Sequence, residues 1–161
     1  MYKYYSRVRK GGDNMAFIEI AKKIKETHPS ALTIFKSGSF YKVYGKDAYI
    51  ISNLFGYSLQ LISENVYICG FPLKSIYSVV SKLEDKKVNY IIFDPKNDYN
   101  VEEKKEFSNL NTYEEELKRA YTINKHKNDI NKIVEDLEYF IDKPNFKEIV
   151  RKIEDYLDES R

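Results

Sequence analysis

The sequence is poor in the residues from which catalytic and metal sites are usually built. Cys69 is the only cysteine among 161 residues, so an intramolecular disulfide is excluded, and its place after Val66-Tyr67-Ile68 predicts a buried thiol at a strand end. His28 and His126 are the only histidines, and neither has a cysteine or serine partner at a spacing that catalysis or metal binding would need. The sequence therefore predicts a protein that is not an enzyme and that holds no metal or cofactor.

Signals for nucleotide hydrolysis and for membrane insertion are also missing. The pattern Gly-x-x-x-x-Gly-Lys-(Ser/Thr) does not occur, which excludes an ATPase of the P-loop type. No apolar run approaches the roughly 18 residues of a membrane-spanning helix, and no charged and then apolar leader opens the chain. We expect a cytoplasmic protein, without membrane contact, that acts by binding.

Charge is distributed unevenly along the chain, although the net value is only +2. Residues 1–50 contain ten Lys or Arg and four Asp or Glu, a balance of +6. Residues 101–161 contain twelve and sixteen, a balance of −4. The basic amino-terminal part would attract a phosphate backbone, and this favours nucleic acid as the partner.

One stretch of that basic part, Gly38-Ser39-Phe40-Tyr41-Lys42-Val43-Tyr44, combines aromatic and basic residues at strand spacing. Side chains alternate between the faces of a strand, so Tyr41 and Val43 are predicted in the core, while Phe40, Lys42 and Tyr44 share the other face. A ring that can stack on a base would then lie beside an ammonium that can meet a phosphate. In the alternative interpretation, Phe40 packs under a helix and Lys42 extends along the surface to water.

The pattern of the whole chain predicts four segments. Residues 1–14 form a basic and aromatic arm, either a short strand or a mobile terminus, that could contact a sugar-phosphate backbone. Residues 15–96 form a domain in which a helix capped by Asp13 or Asn14 comes first. Residues 97–111 form a polar linker with room for a strand, and residues 112–161 form two amphipathic helices. The candidate contacts in the arm are Lys3, Arg7, Arg9 and Lys10.

Periodicity within residues 15–96 indicates the order helix, strand, strand, helix, strand, strand, helix, strand. This order predicts an α/β (α+β) fold in which helices flank a mixed sheet. The apolar stripes of the two carboxy-terminal helices need a partner: each other, the sheet domain, a second copy or another protein.

Several short motifs in order resemble the amino-terminal mismatch-recognition domain of the MutS family. Residues 38–44, followed by Asp47-Ala48, are similar to its Gly-Asp-Phe-Tyr-Glu-x-(Phe/Tyr) and Asp-Ala signature. Gly70-Phe71-Pro72 is similar to its Gly-(Ile/Val/Phe)-Pro. Residues 25–29 lie where the family ends its first helix, and residues 54–59 resemble a leucine-rich passage of the family.

The resemblance extends from Met15 to Asp94 and implies a fold and a function. It implies that Phe40 is the ring that wedges into a duplex from the minor groove, where a mispaired step is easier to unstack. Lys42 stands where the family has Glu, and Ser39 stands where it has Asp. Both departures remove negative charge, so we expect stronger binding to any duplex and a weaker preference for mismatches.

The resulting hypothesis is a non-catalytic protein that binds mismatched or otherwise distorted double-stranded DNA, with a role in mismatch repair. The predicted DNA contacts, besides those of the arm, are Phe40, Lys42, Ser39, Gly38, Tyr44 and Lys36. The carboxy-terminal helices could bind a repair protein or a second copy of the chain. The alternative hypothesis is a protein-interaction adaptor with the same fold that has lost DNA binding.

Overall fold

A computed structural model gives the fold for residues 2–108 and 111–161, with side chains described from Met15 onward. The α-helices of these residues are α1 (Tyr2–Thr27), α2 (Lys46–Phe55), α3 (Ile76–Asp85), α4 (Thr112–Tyr139) and α5 (Phe146–Glu159). The strands are β1 (Leu32–Ser37), β2 (Phe40–Tyr44), β3 (Leu59–Ser63), β4 (Val66–Pro72), β5 (Tyr90–Asp94) and β6 (Asn100–Lys105). The chain divides into two compact units, residues 1–122 and residues 123–161.

The strands form one mixed sheet in the order β3-β4-β2-β1-β5-β6. Strands β1 and β5 are parallel, and every other neighbouring pair is antiparallel. The predicted class, a mixed sheet flanked by helices, is confirmed. The predicted stop of α2 is confirmed as well: Gly56 has a φ of +74°, which favours glycine, and its N–H donates to the Ser52 carbonyl at 2.9 Å.

Apolar side chains form buried clusters on both faces of the sheet. On one face, Tyr41 and Val43 of β2 are buried in the larger core, which α2, α3 and the beginning of α4 complete. On the other face, α1 packs Phe17 against Phe35 of β1, with ring centroids 5.2 Å apart. Cys69 is fully buried, as predicted, but it lies in the middle of β4 and not at a strand end, and burial raises the pKa of its thiol to about 12.

The fully buried carboxylate of Asp47 joins four elements of the first unit. Its Oδ2 accepts from the Thr33 N–H at 2.9 Å and from the Thr33 hydroxyl at 2.8 Å. Its Oδ1 accepts from Lys25 Nζ at 2.7 Å and from the Tyr113 hydroxyl at 2.5 Å. Buried charges are tolerated when they are paired and fully hydrogen-bonded, so this cluster ties α1, β1 and α4 to the first turn of α2.

The amino-terminal segment of the fold differs from the sequence-based expectation, and the linker segment is more ordered than a linker need be. The backbone of residues 2–14 belongs to α1, whereas a strand or mobile arm was expected, because the helix continues through Gly11-Gly12 and is not stopped by the capping residues before Met15. Strand β6 lies within the predicted linker, where the sequence left room for a strand, and it extends the sheet by pairing with β5. Its residues Asn100–Lys105 are all exposed, so they lack the alternation that marks a half-buried strand.

The burial of Tyr113 indicates that the unfolding free energy falls in alkaline solution. Burial, and then the Asp47 charge, raise the pKa of Tyr113 above its ordinary value of 10.0. A raised pKa means that the stabilisation is complete below about pH 10 and is lost as the pH rises further. We expect Tyr113 to account for a loss of about 1.4 kcal/mol of unfolding free energy between about pH 9 and pH 11.

Urea unfolding over this pH range checks the expectation, with Tyr113→Phe as the comparison. The variant should lose about 1.4 kcal/mol less than the natural chain. Lys25 acts in the opposite direction, because burial lowers its pKa, and the comparison of the two chains removes this shared effect. If the unfolding free energies of the two chains change equally with pH, Tyr113 has no such role.

Candidate nucleic-acid interface

The β1–β2 hairpin presents an aromatic side chain at its tip. Ser37 pairs with Phe40, so Gly38 and Ser39 form a two-residue turn. Gly38 has a φ of +62°, the conformation that a type II′ hairpin turn requires at its first central residue. Phe40 opens β2 directly after the turn and remains 49% exposed, so its ring is available to a partner.

Lys42 lies one residue pair further along the same face of β2. Its side chain is half-buried, and no ion pair to it exists among the residues whose side chains are described. On the neighbouring strand β4, Pro72 is opposite Phe40 and Gly70 is opposite Lys42. Because Gly70 has no side chain, the sheet surface beside Lys42 is open.

The open surface at Gly70 is part of a groove beside the hairpin, and the groove has a volume of about 410 Å³. Aromatic, aliphatic and neutral polar groups line it together with the Lys42 ammonium. The lining residues are Phe40, Lys42, Tyr57, Ser58, Gln60, Ile68 and Gly70. Rings, hydrogen-bonding groups and one cation on a concave surface match what a stacked base and a phosphate backbone need.

Lys36 lies on the opposite face of the sheet from Lys42. It pairs with Tyr41 in the β1–β2 register, and Tyr41 points into the larger core. The Lys36 ammonium donates to Glu102 of β6 at 2.8 Å, and this hydrogen bond raises the pKa of Lys36. The structure therefore separates Lys36 from the groove and gives it an acidic partner.

Tyr44 shares the face of Phe40 and Lys42 but is covered by α1. Its ring centroid lies 4.9 Å from that of Phe17 and 5.9 Å from that of Phe35. Burial raises the pKa of its hydroxyl group. We assign Tyr44 to the aromatic cluster beneath α1, where stacking on a base is blocked.

The hairpin tip also lies beside residues that sequence reasoning did not select. The Leu73 N–H donates to the Ser39 carbonyl at 3.2 Å, which joins the tip to the segment after β4. Lys74 in that segment is exposed, and Tyr77 in the first turn of α3 is 86% exposed. In the sequence, the signal that could have selected these two residues is a lysine and a tyrosine shortly after the Gly-Phe-Pro motif.

Lys3, Arg7, Arg9 and Lys10 belong by their backbone to α1, and their side chains lie outside the described residues. Within the described part of the chain, no cluster of three His, Cys, Asp or Glu side chains could hold a metal ion. The helices described for this chain include none that is long and apolar enough to cross a bilayer.

The profile of one protein family, MutS domain I, matches residues 15–122. The chain belongs to the MutS domain I family. The match to MutS domain I ends at the residue where the first compact unit ends, and it extends beyond the predicted domain of residues 15–96 to include the beginning of α4. Membership in this family confirms the resemblance that the motifs around Phe40 and Gly70 indicated.

Curated relatives carry the name DNA mismatch repair protein MutS. The chain is 40% identical over 67 residues to the protein of Borrelia turicatae, and this match covers 40% of the chain. It is 37% identical over 65 residues to the protein of Salinibacter ruber and 34% identical over 64 residues to that of Parabacteroides distasonis, covering 38% and 37% of the chain. The matched part of this MutS domain I chain spans only 7–8% of the length of these relatives.

Proposed function

We propose that this MutS domain I chain binds double-stranded DNA without catalysis and prefers mismatched or otherwise distorted duplex. The observation that carries the proposal is the half-exposed Phe40 ring at the tip of the β1–β2 hairpin, beside an open groove. The names of the curated relatives, which are mismatch repair proteins, support the same ligand class.

The proposed mechanism uses Phe40 as a wedge. Inserting a ring between base pairs costs a few kcal/mol of stacking and pairing, and the cost is smaller where pairing is already defective. The turn at Gly38 and the Leu73–Ser39 hydrogen bond hold the tip in place, so little order is lost when the ring inserts. Discrimination comes from the difference in deformation energy between the two duplexes, since the ring itself reads no sequence.

Lys42 is proposed to add a contact that does not depend on sequence. An ammonium can approach phosphates and minor-groove acceptors on any duplex, whereas a carboxylate at the same place would be repelled by normal DNA. Lys42 has no acidic partner among the described side chains, so its charge is available to DNA. We therefore expect appreciable binding to fully paired duplex and a modest preference for distorted duplex.

The substitution Lys42→Glu tests this contact. We expect the affinity for paired duplex to fall by about tenfold at low salt, and the slope of log K against log salt to decrease by about one. Fluorescence anisotropy over a salt series measures both quantities.

Lys118→Glu is the matched control, because it changes the net charge equally on the exposed side of α4, the helix that packs on the opposite face of the sheet. We expect it to leave the salt slope nearly unchanged. If Lys42→Glu and the natural chain have equal slopes of log K against log salt, Lys42 does not contact DNA. If the natural chain binds no duplex at low salt, the protein-interaction adaptor becomes the better hypothesis.

A further inference from the structure

Gly70 of β4 lines the groove beside the hairpin, and its backbone does not require glycine. Its φ lies outside the left-handed region, and a Cβ built on it would meet one described atom, the Tyr41 carbonyl oxygen, at an ordinary contact distance of 3.6 Å. A glycine inside a strand costs stability compared with alanine, because it loses more backbone entropy on folding and packs no side chain. Such a glycine is explained where a ligand approaches the backbone closely, so the open surface at Gly70 indicates a ligand site.

The groove has the size and the walls of a site for one small ligand. Its volume of about 410 Å³ lies near the lower end of the range of about 300–1,000 Å³ in which small-molecule sites fall, and a stretch of duplex would not fit. On one wall, the half-buried Tyr57 ring stacks on Phe55 and on Phe71, with ring centroids 6.1 Å and 5.7 Å away. This packing holds the wall in place before a ligand arrives, so little order is lost on binding.

The side chains of the groove fit the parts of a nucleotide. Tyr57 and Ile68 offer apolar surface to the faces of a base. Gln60 is exposed on β3 opposite Ile68 of β4, and its amide can both donate to and accept from a base edge. Lys42 supplies a cation for the phosphate, and none of the described lining residues is acidic. The charge and the hydrogen-bonding groups of the groove are thus complementary to a nucleotide.

Phe40 also lines the groove, so a base that its ring displaces from a duplex would lie next to the groove. Where one strand carries an extra nucleotide, the base has no partner, and moving it out of the helix breaks no base pair. The Phe40 ring can then occupy the place in the stack that the base leaves. In a base–base mismatch each base has an opposite neighbour, so moving one of them out costs more. The groove is therefore suited to the base of an unpaired nucleotide.

We propose that the groove is a base-binding site, which holds the base of an unpaired nucleotide after that base has left the helix. This inference rests on the proposed function and adds to it a site outside the base stack. Gly70 leaves the space for the base, Gln60 binds the edge of the base, and Lys42 binds the adjoining phosphate. Recognition then has two parts: the Phe40 ring enters the stack, and the groove takes up the base that the ring replaces.

The fluorescent base 2-aminopurine, placed as one extra nucleotide in a duplex, tests where the base lies. Stacking quenches its emission, and the emission rises when the base leaves the helix. We expect the natural full chain to raise the emission by about twofold or more at saturation, whereas a base that stays stacked on Phe40 would remain quenched. The variant Gly70→Val fills the groove with a side chain, so it should produce no such rise.

Competition binding measures how much the base contributes to affinity. Two duplexes with the same flanking sequence are compared, one with an extra nucleotide and one with an extra abasic site, which has the same backbone but no base. We expect the natural chain to bind the first about threefold to tenfold more tightly. Gly70→Val should reduce this ratio to about one, and Gln60→Ala should reduce it by about twofold to threefold. A loss of affinity that both duplexes share cancels in the ratio.

Leu61→Ala is the matched control, because Leu61 follows Gln60 on β3, points to the other face of the sheet and is 60% exposed. It should keep the natural ratio. Quenched emission, or equal affinity for the extra nucleotide and the abasic site, would overturn the proposal. A ratio that Gly70→Val and Gln60→Ala both retain would also overturn it, because the base would then lie elsewhere. If mismatched duplex still binds more tightly than paired duplex, either failure concerns the groove alone; equal affinity for paired, mismatched and extra-nucleotide duplexes would overturn the proposed function as well.

Discussion

Replacing Phe40 by alanine is expected to remove the preference for distorted duplex and to leave weak, salt-dependent binding to all duplexes. Stacking of one base on an aromatic ring contributes roughly 1–3 kcal/mol, so the affinity for mismatched duplex should fall about tenfold. The affinity for fully paired duplex should change little, because Lys42 and other basic side chains account for the binding to paired DNA. Competition binding with mismatched and paired duplexes of the same length directly measures the ratio of the two affinities.

The conservative variant Phe40→Leu separates the wedge from the fold. Leucine can also insert between base pairs, so this variant should keep part of the preference. Because Phe40 is 49% exposed, both variants should retain nearly the natural unfolding free energy. An unchanged affinity ratio in Phe40→Ala would eliminate the wedge mechanism.

The largest expected loss of stability follows from Asp47→Ala. The substitution removes the acceptor of four hydrogen bonds and leaves the ammonium of Lys25 in a largely buried place without a carboxylate, bonded only to the Ala31 carbonyl among the described residues. Removing one member of a buried ion pair costs about 3–5 kcal/mol, a large fraction of the stability of a domain of this size. Urea unfolding followed by circular dichroism provides the measurement.

Two variants serve as controls for this expectation. Asp129→Ala removes an exposed aspartate of α4 and should change the unfolding free energy by no more than about 0.5 kcal/mol. Asp47→Asn keeps an acceptor but loses the charge, so its unfolding free energy should lie between those of the natural chain and Asp47→Ala. If Asp47→Ala unfolds at the same urea concentration as Asp129→Ala, the cluster does not hold these elements together.

Local patterns predicted the hairpin and the placement of Phe40 and Lys42, since both follow from rules that act over a few residues. Alternation placed Tyr41 and Val43 in the core, and the turn at Gly38 followed from its sequence. These features do not require knowledge of which distant elements meet.

The remaining features depend on long-range packing, which short motifs do not encode. Whether Tyr44 is presented or covered depends on where α1 lies, and the ion pair of Lys36 depends on strand β6, which carries no apolar alternation. The link from Asp47 to Tyr113 joins residues far apart in the chain. The groove next to Lys42 exists because the register of β2 and β4 brings Gly70 opposite it.

Direct comparison of paired, mismatched and looped duplexes tests the central claim, with fluorescence anisotropy of the natural chain recorded over a salt series. We predict that the chain binds all three duplexes, that affinity falls as salt rises, and that mismatched or looped duplex binds about tenfold more tightly than paired duplex. Equal affinity for the three duplexes at every salt concentration would contradict recognition of distorted DNA by Phe40.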